Sequence, residues 1–232
     1  MERRTFIAGG AAALTATALT GCSSGSGRSS TSAATGSSSL TSLKTTSQSA
    51  AANWAALARD LDGTLIRPGD AAWKTAHQLY NTRFDGLRPA AVAYAAHPDD
   101  IRTTLSYAQA HGLKVSIRNG GHSYAGYSSG DNRLILDVSR LNSIRVSGGQ
   151  AVVGAGSKLI DVYRGLAAKG VTIPAGSCPT VGVSGLVLGG GHGVASRAYG
   201  LTCDNLTQAT VITADGTQVT ANASSHSDLF WA

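Results

Sequence analysis

Two side chains stand out by type and setting. His122 directly follows Gly120-Gly121, and Cys178 sits inside Pro174-Ala175-Gly176-Ser177-Cys178-Pro179-Thr180-Val181-Gly182-Val183-Ser184-Gly185. A neutral imidazole and a thiolate are both nucleophilic groups. Paired glycines straight after a strand turn successive backbone N–H groups toward one centre, a nest for an anion such as a pyrophosphate. The second stretch continues through Gly189-Gly190-Gly191-His192-Gly193, and glycine at this density lets a backbone lie flat against a ring or a phosphate.

Other chemistries find less support. His77, His97, His111 and His226 stand apart with no ligand spacing, so no metal is expected. No Ser-His-Asp set has a recognisable elbow. Neither glycine stretch is a Gly-x-Gly-x-x-Gly that follows a strand and opens a helix, which disfavours a Rossmann nicotinamide site. The net charge is +6, but Lys and Arg are scattered rather than clustered, so no nucleic-acid groove is expected. Three cysteines cannot build a disulfide framework. Cys178 and Cys203 could pair in an oxidising compartment, although Cys203 reads as a packed side chain.

The elements that must position these loops begin with a short helix at Trp54 to Asp60 and a turn at Pro68-Gly69-Asp70. Ala90 to Ala95 reads as a strand, and a helix follows to His111 with Asp99 as its cap and Ile101, Leu105, Ala108 and Ala110 inward. Gly112 ends it. Lys114 to Arg118 alternates as a second strand, so this unit predicts a right-handed parallel crossover whose second strand feeds the His122 loop. Leu134 to Val138 is a third strand. Ser147-Gly148-Gly149-Gln150 marks a hairpin, Lys158 to Lys169 an amphipathic helix closed by Gly170, and Ala214-Asp215-Gly216 a second hairpin. The shift from parallel units to hairpins implies an α+β fold of two α/β lobes with a crevice between them.

The N-terminus carries its own signals. Arg3-Arg4 ahead of Phe6-Ile7 and an apolar run reads as a twin-arginine export signal over residues 1–21. Leu19-Thr20-Gly21-Cys22 reads as a lipobox, which would anchor the mature protein to the membrane through acyl chains on Cys22. Residues 22–52, rich in Ser, Thr, Gly and Ala, read as a flexible tether, and 53–232 as the folded domain. Beyond the signal, no apolar run is long enough to span a membrane.

Arg118-Asn119-Gly120-Gly121-His122 together with Cys178-Pro179-Thr180-Val181-Gly182 and Gly189 to Gly193 resembles the berberine-bridge-enzyme-like branch of the vanillyl-alcohol-oxidase flavoproteins, which have a PCMH-type FAD domain. The likeness runs over about residues 83–232 by the motif-in-context test. It implies an FAD-dependent oxidase, which the N-terminal signal would send out of the cytoplasm. A substrate hydride would pass to the flavin and then to O2, giving H2O2. It also implies bicovalent FAD, with His122 on the 8α-methyl and Cys178 on C6. The cofactor-binding set it implies is Arg118, Asn119, Gly120, Gly121, His122, Ser123, Cys178, Thr180, Val181, Gly182, Gly185, Gly189, Gly190, Gly191 and Gly193. His192 reads as a loop residue near the cofactor, and no catalytic base is assigned. The family continues past the point matching Leu229 to Ala232, so the domain is expected to be C-terminally incomplete. The alternative to an oxidase is a truncated, non-catalytic flavin-binding lipoprotein. The small-molecule substrate and the oligomeric state are not legible.

Overall fold

The computed structural model describes residues 52–232; Arg3-Arg4, Cys22 and nearly all of the tether lie outside the described residues. In chain order the elements are α1 (Trp54–Asp60), β1 (Thr64–Ile66), α2 (Trp73–Ala76), β2 (Ala91–Tyr94), α3 (Pro98–Ala110), β3 (Val115–Arg118), β4 (Leu134–Asp137), β5 (Ile144–Ser147) and β6 (Gln150–Val153). There follow α4 (Leu159–Ala167), α5 (Val183–Leu188), α6 (Ser196–Tyr199), β7 (Gln208–Ile212), β8 (Gln218–Asn222) and α7 (Ser227–Trp231). The fold is mixed α/β, as the patterning predicts.

A four-stranded sheet, in the order β1-β2-β4-β3, carries the first glycine loop. β2 and β3 both pair in parallel with β4, so the expected parallel crossover is present, with the third strand inserted between the first two. Insertion makes β4 the central strand, and all four of its residues are buried. Their alternation divides the core. Ala91, Ala93 and Leu134 face α1 and α3 with Leu57, Leu61 and Ala108. Val92 and Ile135 face the other way, onto Ala76 and Trp73 of α2.

Two expectations for α3 need correction. His97, not Asp99, is the cap residue, and Pro98 opens the helix. Asp100 supplies the carboxylate, accepting from the N–H groups of Ala96 (2.7 Å) and Asp62 (2.9 Å), which accounts for its burial. The inward face is Asp100, Thr104 and Ala108; Ile101 and Leu105 are half-buried and Ala110 is exposed. The apolar periodicity is one residue out of phase because α3 presents small and polar groups to the sheet.

The second core gathers Leu159, Val162 and Leu166 of α4 with Ala175 and Val183, under Ile144, Val146, Ala151 and Val153 of the β5-β6 hairpin. Gly148 and Gly149 both take positive φ (56° and 74°), the conformation that a two-residue hairpin turn demands. The β7-β8 hairpin returns to the first sheet's helix: Arg102 Nε and Gln109 Nε2 of α3 donate to the carbonyls of Gly216 and Ala214.

Candidate functional site

The first glycine loop leaves the sheet at Arg118. Its guanidinium is buried and turned along the sheet, with Nε 2.5 Å from Asp137 Oδ2 and Nη2 donating to Tyr94 Oη at 3.3 Å. Asp137 is equally buried. The pair therefore ties the ends of β2, β3 and β4 together where the loop begins. Arg118 Nη1 has no hydrogen-bond partner among the described residues.

From there the two glycine stretches fit into each other. A Cβ on Gly120 would lie 2.6 Å from both Gly182 N and Thr180 O. Conversely, a Cβ on Gly182 would strike the side chain of Asn119. Gly120 is needed because two backbones meet there and Gly182 because the Asn119 side chain packs on it, closer reasons than approach to a ligand. Asn119 Nδ2 donates to the carbonyls of Ala155 (2.5 Å) and Ser157 (3.3 Å), binding the first loop to the segment that leads into α4. The second loop is held at the start of α4, where Leu159 N–H donates to Val181 O and Ile160 N–H to Pro179 O, both at 3.0 Å. His122 closes the junction with Nε2 2.8 Å from Thr180 Oγ1. The ring of Tyr80 stacks on the imidazole at 3.9 Å between centroids, and Tyr80 N–H donates to Gly121 O.

Two features of this junction remain chemically open. Among the described residues, the consecutive backbone N–H groups from Asn119 to Tyr124 find no acceptor in the protein. Gly121, at φ 69°, turns the chain within that run. The Ser123 side chain is committed locally, its Oγ accepting from Tyr127 N–H. Cys178 is half-buried and free, as is Cys203, so the two are not joined.

The rest of the second stretch divides by role. Gly185 lies in α5 with open space where a Cβ would be. Gly189 caps α5, and Gly190 and Gly191 take positive φ (93° and 81°). Gly191 is crowded by Thr202, whose hydroxyl donates to Gly191 O, and Gly193 by the Ala175 carbonyl. Gly191 and Gly193 are thus glycine for packing inside the protein, whereas Gly185 is not. His192 is exposed.

Burial holds the His122 imidazole below its ordinary pKa, and the nearby Lys158 ammonium adds to the effect. The ring is therefore neutral at pH 7, the form with a nucleophilic lone pair. Sequence reasoning missed Tyr80 and Lys158. Tyr80 precedes both glycine stretches in an irregular segment, and nothing local marks it as a partner of His122.

Residues 89–222 match the family described as FAD binding domain. An FAD-linked oxidoreductase, pynB, of Aspergillus niger is 37% identical over 77% of this chain and 33% of its own length. The solved structure of a berberine-bridge-enzyme-like protein from Physcomitrella patens superposes with a TM-score of 0.72 at 36% identity, over 77% of this chain and 39% of that one. Glucooligosaccharide oxidase from Acremonium strictum, described as carrying a 6-S-cysteinyl, 8α-N1-histidyl FAD, gives a TM-score of 0.72 at 33% identity over 77% and 38%. The chain thus spans between a third and two fifths of the length of these relatives. It belongs to the FAD binding domain family, and it is similar to the matching part of FAD-linked oxidoreductases and of berberine-bridge-enzyme-like proteins.

Proposed function

We propose that this chain is the FAD-holding part of an oxidase that binds its cofactor covalently at both His122 and Cys178. The observation that carries the reading is the junction itself: two glycine stretches lock together, and one bears a neutral imidazole, the other a free thiol, beside a run of N–H groups with no acceptor among the described residues. The residues fit the cofactor. The N–H groups of 119–124 suit a pyrophosphate, and the open Cβ space at Gly185 suits a flat ring. Asn119, Gly120, Gly121, Thr180, Val181 and Gly182 shape the loops, while Gly189, Gly190, Gly191 and Gly193 shape the turn behind α5. Arg118 acts from beneath by fixing the loop's origin.

Bound FAD supplies a hydride acceptor that dioxygen reoxidises, with release of hydrogen peroxide. His122 contributes a ring nitrogen and Cys178 its sulfur, one from each loop, so a single ring held by both could not leave without breaking two bonds. The substrate is a small molecule whose class the site does not specify. Export by the twin-arginine route suits a cofactor inserted before translocation, and the lipobox would leave the protein anchored at Cys22 on the outer membrane face.

Flavin attachment is tested by loading the protein with FAD, precipitating it with acid and mapping the peptides. His122→Ala and Cys178→Ala should each retain flavin through the other residue, and the double variant should release it. Colourless precipitate from the unsubstituted protein, or flavin on neither residue, refutes the bicovalent reading. A loaded chain without peroxide formation on any substrate is the non-catalytic module. Mass spectrometry of the mature N-terminus reads the acyl group on Cys22, and an unmodified N-terminus elsewhere removes the anchor.

A further inference from the structure

The contacts of His122 are unequal at its two ring nitrogens. Nε2 lies 2.8 Å from Thr180 Oγ1, while Nδ1 meets no hydrogen-bond partner among the described residues. One face of the ring is covered by Tyr80, whose backbone is itself tied to Gly121. Thr180 cannot drift from the imidazole, because the Gly120 backbone fits against Thr180 O and Gly182 N, and the loop is bonded to α4 on either side of Thr180, at Pro179 and Val181. The Thr180 hydroxyl makes no other hydrogen bond among the described residues.

A neutral imidazole has one donor and one acceptor nitrogen, and the partner of one fixes the role of the other. If the Thr180 hydroxyl donated to Nε2, the proton would sit on Nδ1, and the nitrogen without a partner among the described residues would have no lone pair. We infer that Thr180 is a positioning residue that accepts a hydrogen bond from Nε2–H, with Tyr80 as the wall behind the ring, so that Nδ1 is the nitrogen presented for bonding. The assignment rests on the reading of His122 as a flavin anchor. Thr180 touches no reacting atom in it; it acts through the imidazole.

The test is made on the full 232-residue chain without cofactor, by long-range nitrogen–proton NMR of the histidine rings, which reports the tautomer directly. In the unsubstituted chain His122 should be almost wholly the Nε2–H form. In Thr180→Val the ratio of Nε2–H to Nδ1–H should fall, at most by roughly fivefold, the weight of one ordinary neutral hydrogen bond. Thr180→Ser should restore it. A role limited to packing predicts the reverse order, since valine matches threonine in shape and serine does not. A predominant Nδ1–H form in the unsubstituted chain overturns the inference whether or not the variants fold, and so does an unchanged ratio in a folded Thr180→Val. Because no flavin is present, these outcomes are independent of the peptide mapping. The tautomer can be right while His122 proves not to be the anchor, and the two failures are told apart.

Discussion

His122 combines a reactive atom with a depressed pKa, and the depression has a consequence for stability. Burial and Lys158 disfavour the imidazolium in the folded chain, while the unfolded chain titrates near the ordinary value of about 6.5. Below that pH the unfolded state therefore binds more protons than the native state. Stability falls as the pH drops through the ordinary histidine value, and it stops falling on this account once the lower native pKa is passed. Above pH 7 the group contributes nothing to pH dependence. His122→Gln removes the titration and keeps a polar side chain. Its stability relative to the unsubstituted chain should thus improve between pH 7 and pH 5, read as the shift of the urea midpoint at each pH. A constant difference across that range would show that His122 titrates normally. Arg118 provides a contrast at the same scale: its charge is buried and matched by Asp137, so it serves the loop by fixing where the strands end.

Among the elements, the glycines of the two loops separate those required by the protein from those left free for a ligand. A methyl on Gly120 would press on backbone atoms of the second loop, which cannot move cheaply, so Gly120→Ala should destabilise the chain by about 1–3 kcal/mol, the usual overpacking cost. A methyl on Gly185 meets nothing in the protein and sits in α5, so Gly185→Ala should stabilise the cofactor-free chain by about 0.5–1 kcal/mol. The same substitution should weaken FAD loading if the ring lies there. Chemical denaturation and FAD titration of both variants check this, and equal stability effects at the two positions would sink the distinction. Much of this arrangement was legible. The β5-β6 hairpin followed from Gly148-Gly149, and α4 from its apolar spacing and Gly170, because those signals are local. The position of β4 between β2 and β3 was not, since pairing order depends on long-range packing. Neither was α5, a helix inside a glycine-rich run whose apolar residues Val183, Leu186 and Val187 face the second core. The site residues could be named, but the contact of Gly120 with Gly182 and the stacking of Tyr80 on His122 join distant stretches and leave no mark in spacing.

The whole molecule presents apolar surface around these loops. Among the described residues the most exposed large apolar side chains are Tyr124 at 96%, Val194 at 95%, Leu188 at 89% and Tyr127 at 80%. Tyr124 and Tyr127 follow His122 in the first loop, and Leu188 and Val194 flank the run from Gly189 to Gly193. Single exposed apolar residues are ordinary, but these four lie in the segments that carry the candidate site. The relatives are more than twice as long as the region this chain matches. The 232-residue chain by itself should therefore bind an environment-sensitive hydrophobic dye such as anilinonaphthalene sulfonate while still folded. Leu188→Gln combined with Val194→Thr should lower the dye signal by roughly half. Neither residue is packed, so the pair should change stability by no more than about 0.5 kcal/mol, as expected for surface positions. Dye binding that persists undiminished in the double variant would place the apolar surface elsewhere. A large loss of stability would instead show that Leu188 and Val194 are buried in solution, which contradicts their placement here.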